Sequence, residues 1–301
     1  MKAKRTRSTG QRVKASIVVA TKNRLPLLQK GLNAILSLNG PSCEVLVIDD
    51  GSSDETWNYL QEQARNHPNL KILQNTSSQG PAVARNKGLQ HAKGEIAIIM
   101  DDDCIPSKEW LVQLVEPFDQ NKKIAVTSSF GYYGGTSTAY RMDVFRKIGF
   151  FDEAFPANYR EDTDTIFKIL DAGFEVKVVK APFEHIHPPP KGKWNRISYI
   201  VRRVWIHRFD PLLYKKHPSR GKEFFDVKWG FIRNPLQDFK AATGLWWSRK
   251  NFVLSSPQGI KFLENKSPVH ALLIVLAGIA YMWLVKVPRL YGSFVYGKLL
   301  L

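Results

Sequence analysis

The sequence predicts an α/β fold built on a mostly parallel sheet flanked by helices, and three observations carry that prediction. Short apolar runs recur along the first half, at SIVVA (16–20), EVLVI (44–48), LKIL (70–73) and EIAIIM (95–100). The segments between them place apolar residues at helical spacing. The runs are also continuously apolar rather than alternating, as strands covered on both faces are. In such sheets ligands bind outside the carboxyl ends of the strands. Three polar stretches fall there: TKNR (21–24), DDGS (49–52) and DDD (101–103).

The elements follow in order. SIVVA leads through TKNR into PLLQKGLNAILSL, where Leu28, Leu32, Ile35 and Leu36 form a helical stripe. EVLVI ends at Asp49 and Asp50, and Ser52 with Glu55 fits a capping box opening a helix near 55–65. After LKIL, GPAVARNKGLQHA (80–92) reads as a helix with Pro81 in its first turn. EIAIIM then ends in Asp101, Asp102 and Asp103. Further on, Ile166, Phe167 and Leu170 mark a helix that opens near Asp162.

Charge divides the chain. Its 301 residues carry a formal +17, but residues 1–180 hold 24 Lys and Arg against 21 Asp and Glu, while residues 181–301 hold 20 against 6. A nearly balanced part is thus joined to a basic, aromatic-rich part that seeks a polyanion, either nucleic acid or an anionic membrane surface. Two cysteines, Cys43 and Cys104, give no disulfide framework and suit a reducing compartment. The basic segment 1–14 precedes an apolar run too short for a signal peptide.

The crevice residues each have a plain reading and a chemical one. Three adjacent aspartates form either a solvated acidic turn or oxygen ligands for Mg²⁺ or Mn²⁺. Asp49 and Asp50 suit ordinary Asp-Gly-Ser turn chemistry, and a carboxylate there also suits a base or ribose. Arg85, in QGPAVARN, is either a surface cation or a phosphate partner.

The ordered set SIVVATKNR, VLVIDDGSSDET, QGPAVARNKGL, IAIIMDDDC, GTSTAYRMDVFRKIGFFDEAF and EDTDTIFKILDAGFEV resembles the family 2 glycosyltransferases of GT-A fold, over about residues 15–187. The resemblance implies a donor site for a nucleotide sugar, with UDP favoured, formed by Ala20, Thr21, Asn23, Asp50, Arg85, Asp101, Asp102, Gly135 and Thr136. It implies Asp101 and Asp103 as a DxD pair holding Mg²⁺ or Mn²⁺, with His185 or His187 as a further ligand or as plain loop residues before a proline run. Glu161 and Asp162 match the ED motif, whose Asp serves inverting members as general base. Gly134 and Gly135 would let backbone approach the donor sugar closely. The QxxRW motif of processive synthases is missing, since VRRVW (201–205) lacks both the Gln and the Arg-Trp adjacency. Transfer of one sugar per encounter is expected.

Beyond PPPKGK (188–193), residues 188–264 read as a basic, helical, membrane-proximal extension, and residues 265–301 as a hydrophobic tail. Between 195 and 209, Ile197, Ile200, Val201, Val204, Trp205 and Phe209 fall on one stripe, with Arg196, Arg202, Arg203 and His207 elsewhere. That pattern suits a helix in a membrane interface or one packed on the catalytic domain. LWWSRKNF (245–252) sets Trp beside cations. PVHALLIVLAGIAYMWLV (268–285) spans about 27 Å as a helix, just under the hydrocarbon thickness. The expectation is a membrane-associated enzyme working at the cytoplasmic face on a lipid-linked or glycan acceptor, without nucleic acid. The alternatives are a nucleotidyltransferase and a basic nucleic-acid-binding protein.

Overall fold

The computed structural model describes residues 13–156, 159–186, 192–243, 245–247, 252–254 and 267–301. The basic segment up to residue 12, His187, the hinge 188–191 and most of 248–266 lie outside the described residues. The chain forms two compact units.

In the first unit, β1 (Ala15–Thr21), α1 (Leu25–Leu36), β2 (Cys43–Asp49), α2 (Thr56–Asn66), β3 (Leu70–Gln74), α3 (Pro81–His91) and β4 (Ile96–Asp101) alternate as expected. There follow β5 (Cys104–Pro106), α4 (Trp110–Gln120), β6 (Ile124–Ser128), β7 (Thr138–Arg141), α5 (Met142–Ile148), α6 (Glu161–Asp171), β8 (Glu175–Val178) and β9 (Phe183–His185). The main sheet runs β3-β2-β1-β4-β7-β6-β8. β1, β2, β3 and β4 are mutually parallel where they pair, whereas β7 is antiparallel to both β4 and β6. Ile17, Val19, Val45, Val47 and Ile98 on one face meet Leu28, Leu32, Trp110 and Leu114, all at most 1% exposed. Burying each such side chain contributes about 1.5–3 kcal/mol, and it is the two-sided burial that makes these strands continuously apolar.

One local expectation is corrected. Ser52 and Glu55 do not form a capping box: α2 starts at Thr56, whose amide donates to Asp54 at 3.1 Å. The Ser52 hydroxyl instead accepts from the Asn23 amide, and the Ser52 amide donates to Asp49. Both bonds tie the turn to the crevice rather than to the helix.

The second unit takes residues 159–167, the first turns of α6, together with the chain from 192 on. Its elements are α7 (Lys193–Trp205), a 3₁₀ turn (Ile206–Phe209), α8 (Asp210–Lys216), α9 (Pro218–Phe224), β10 (Val227–Lys228), β11 (Ile232–Arg233), α10 (Pro235–Thr243), β12 (Leu245–Trp247), β13 (Phe252–Leu254), α11 (Pro268–Leu284) and α12 (Lys286–Tyr296). The apolar tail is thus two helices broken at Val285. By length and composition alone, Leu272–Tyr296 is the one described stretch able to cross a membrane.

This unit is organised by buried charge. Arg289 of α12, fully buried, donates to Asp210 at 2.9 Å and to both carboxylate oxygens of Asp238. Asp210 also accepts from Arg160 at 2.8 Å and Tyr159 at 3.1 Å, and lies 3.0 Å from His207. His207 Nε2 meets the Tyr281 hydroxyl of α11 at 2.7 Å. Burial by itself would raise the Asp210 pKa, but Arg160, His207 and Arg289 together hold it well below the carboxylate range. Removing one partner of a buried pair leaves an uncompensated charge and costs about 3–5 kcal/mol. Arg289→Ala is therefore expected to lower the unfolding free energy, read from urea titration, by an amount in that range. A substitution of the exposed Lys228 should change that free energy by less than about 0.5 kcal/mol.

Candidate active site

The crevice lies where the sheet changes direction. β1 pairs with β2 on one side and β4 on the other, and their connections leave in opposite senses, which is the switch point where α/β sheets bind ligands. Register delivers the functional groups to one level, because Thr21 lies opposite Asp49 and Ala20 opposite Asp101. A cleft of about 310 Å³ opens there. Of the residues expected at the site, Ala20, Thr21, Asp50, Arg85, Asp101, Asp102, Asp103 and His185 line it.

Asp50 is the organiser of the first wall. Its carboxylate accepts from Asn75 at 2.8 Å, Ser78 at 2.7 Å, and the amides of Gln79 and Gly80 at 2.9 Å each. Burial alone would raise its pKa, but the four donors outweigh it and hold the carboxyl below the ordinary range. The adjacent Gly51 has φ +72°, and a Cβ there would come within 2.9 Å of the Ser77–Ser78 backbone, so only glycine closes this turn.

The three aspartates point three ways. Asp101 pairs with the buried Arg85 at 2.8 Å, and its amide donates to the Thr136 hydroxyl at 2.9 Å. Asp102 turns inward, accepting from the Thr21 hydroxyl at 2.7 Å and from Arg24 at 3.0 Å. Burial pushes its pKa up to about 6, ahead of the opposing pull of Arg24 and Thr21. Asp103 is held by Arg24 and lies 3.0 Å from His185 Nε2. Burial works against its charge, but His185 and Arg24 prevail and bring it down to about 2. His185 arrives on β9, which pairs antiparallel with β5 so that His185 faces Cys104, and the Ile186 amide closes onto the Asp103 carbonyl at 2.8 Å.

This donor set fits a divalent cation. Ligand atoms of Asp103, Cys104 and His185 lie within 4.8 Å of one another. Cys104 suits Mg²⁺ or Mn²⁺ least of the three, because a soft sulfur matches hard cations poorly and burial raises the pKa of its thiol. A carboxylate oxygen and an imidazole nitrogen remain, chemistry that Mn²⁺ accepts and Mg²⁺ accepts in part.

Other expected residues sit apart. Asn23 does not line the cleft; its side chain accepts from the Ser53 amide at 2.7 Å and so braces the Asp50 turn. Thr136 lies beneath the Asp101 strand end, and a Cβ on Gly135 would sit 2.5 Å from the Phe130 ring, so this glycine makes room for a side chain of the protein itself. Glu161 and Asp162 occupy the first turn of α6, within the second unit. His187 is outside the described residues. Sequence reasoning put TKNR at the crevice but gave Lys22 and Arg24 no role, and it overlooked Ser78 and Gly80; all four line the cleft. Arg24 was within reach, since it closes the TKNR stretch behind a strand end that faces an acidic one.

A mostly parallel sheet flanked by helices, with β7 antiparallel within it and an aspartate cluster at its switch point, is a GT-A-type α/β fold. The solved mannosyltransferase PcManGT from Pyrobaculum calidifontis, in complex with GDP-Man and Mn²⁺, shares that fold. It has a TM-score of 0.60 and 19% identity over 94% of this chain and 88% of its own. The family model for glycosyl transferase family 2 matches residues 16–171, and the chain belongs to that family. Glycosyltransferase AglE of Haloferax volcanii is 34% identical over 137 residues, 44% of this chain and 45% of its own length. The dolichol-phosphate mannosyltransferase of Pyrococcus furiosus is 29% identical over 119 residues, 39% of this chain and 34% of its own. The matched stretch thus covers less than half of each of these curated relatives.

The Asp50 hydrogen bonds predict a pH-dependent stability. A carboxyl whose pKa is depressed on folding contributes above its unfolded value, about 3.9, and loses that contribution as pH falls through the folded value. Asp50→Asn should cost about 1–3 kcal/mol at neutral pH. In urea titrations across pH, the gap between the two proteins should narrow below pH of about 4.

Proposed function

We propose that this protein is an inverting, divalent-metal-dependent glycosyltransferase that moves one sugar from a nucleoside diphosphate sugar to a membrane-linked acceptor. The observation that carries the reading is the meeting of Asp103 and His185 at the switch point of a family 2 sheet. Family membership favours glycosyl over nucleotidyl transfer. Donors based on UDP and on GDP are the first to try.

The residues take the following roles. Asp50 and its donors hold the pocket wall against the base and ribose. Asp103 and His185 hold the cation, with Asp101 beside them. When bound, that cation stabilises the charge developing on the departing diphosphate, an electrostatic contribution to the transition state. Arg24 and Arg85, each paired with the aspartates, keep the local charge balanced before the donor enters. Asp162 takes the proton of the acceptor hydroxyl as its oxygen attacks the anomeric carbon and the bond to the diphosphate breaks. Its place in the first turn of α6 favours the ionised form a general base needs. One displacement inverts the anomeric configuration.

The acceptor class rests on three supports: the dolichol phosphate in the name of one relative, the apolar C-terminal helices, and the basic second part. Both cysteines are free, in keeping with catalysis at the cytoplasmic face.

Two substitutions separate the roles. Asp162→Asn should lower kcat by about 10²–10⁴-fold while leaving Mn²⁺-dependent donor binding in place, read by calorimetry. Asp103→Ala should abolish that binding itself. Full turnover by the Asp162 variant would refute the base assignment.

A further inference from the structure

Helix α12 is built inside out. Val287, Leu290, Tyr291, Phe294 and Val295 recur at helical spacing on one face, and that face is exposed, Phe294 to 80%. The opposite face carries Arg289, Gly292 and Ser293, and it is buried. A helix of a protein wholly in water does the reverse. Exposed apolar positions also follow one face of α11, at Leu272, Leu276, Ile279 and Trp283. Helix α7 buries none of its residues, although Ile197, Ile200, Val201 and Trp205 form an apolar stripe. The Trp205 and Tyr291 rings meet at a tilt with centroids 5.1 Å apart, so the stripes of α7 and α12 adjoin.

The charges around these faces say what covers them. Arg196, Arg202 and Arg203 lie on α7, Lys286 sits 5.7 Å over the Trp283 ring, and Arg208 sits 5.5 Å over that of Trp205. Aromatic rings next to cations at the rim of an apolar face match the boundary between hydrocarbon and anionic headgroups.

The buried face of α12 fixes the mode of contact. Arg289 binds Asp210 at the start of α8 and Asp238 in α10, and a Cβ on Gly292 would come within 2.0 Å of the Arg208 carbonyl. The helix is therefore seated along its length on the 3₁₀ turn and α8, with the Arg208 carbonyl against Gly292 in the middle of α12. Passing α12 through a bilayer would draw the only partly buried Arg208 and the polar turn that carries it to the level of the hydrocarbon. We infer that the exposed apolar faces of α7, α11 and α12 lie in one leaflet of an anionic bilayer, holding the protein in the membrane plane without crossing it. This deepens the membrane part of the proposed function and rests on it.

The test uses the full chain added to preformed, sealed vesicles of phosphatidylcholine with phosphatidylglycerol. Flotation should recover the protein with these vesicles, and less of it with phosphatidylcholine alone. Val287→Asp with Phe294→Asp alters only exposed positions and should weaken vesicle binding on the order of tenfold or more, with the thermal transition and donor binding unchanged. Ser267→Cys and Lys298→Cys, placed at the two ends of the tail, should both react with an impermeant maleimide before the vesicles are opened, beyond the background of the parent chain. Protection of either site until detergent is added would establish a crossing and overturn the inference. Failure to float on anionic vesicles would overturn it as well, and would point to a protein partner on this face. Donor binding in the same samples separates failure of the membrane contact from failure of the glycosyltransferase reading.

Discussion

Three consecutive carboxylates at the end of a buried strand are an electrostatic problem that the crevice has to solve. Each close pair repels by about 1 kcal/mol in water and about 4 kcal/mol at an effective dielectric of 20. The protein separates the three directions and surrounds each carboxylate with donors: Arg85 for Asp101, Thr21 for Asp102 and His185 for Asp103, with Arg24 shared between the last two. Most other features of the first unit serve that arrangement. Strand register sets the level, α3 supplies Arg85, and the β5–β9 pair delivers His185. The cluster is consequently oriented toward the cleft before any ligand enters, a preorganisation that would lower the cost of gathering the cation and diphosphate of the proposed reaction.

The second unit applies the same physics to another end. Its buried centre is ionic, with Asp210 and Asp238 facing Arg289, Arg160 and His207, while much of its apolar surface points outward. Buried ion pairs add little net stability compared with well-packed apolar groups, yet removing one member is costly. Such a centre specifies which face of α12 turns inward. It leaves the other face free for a nonpolar surrounding. Tyr159 and Arg160, directly before Glu161 and Asp162, belong to this same network, so the segment carrying the proposed base is anchored by the helices that carry the apolar face.

Much of this was legible in the sequence because it follows from local pattern. Continuous apolar runs gave β1 to β4, the residues after them gave the crevice, and Pro81 marked the start of α3. What was hidden depends on long-range contact. Ser52 and Glu55 look like a capping box until Asn23 and Asp49 are seen to occupy the turn. The place of Arg24 at the end of TKNR puts it near the crevice, but its bridging of Asp102 and Asp103 depends on contacts far along the chain. His185 and His187 are equal candidates in the sequence, and the pairing of β9 with β5 is what sets His185 against Asp103. The tail reads as one span by hydropathy, and only the burial of Arg289 divides it into an outward apolar face and an inward polar one.

The central claim is that Asp103 and His185 hold a divalent cation against a nucleotide sugar, and thermal unfolding of the detergent-solubilised protein tests it most directly. UDP-, GDP- and dTDP-sugars would be compared, each with and without Mn²⁺. A ligand at 100 times its dissociation constant adds about 2.7 kcal/mol. The account predicts a stabilising shift of that order for one nucleotide class, present only with the metal and lost in His185→Ala. A shift of equal size without metal, or one that survives that substitution, would contradict it.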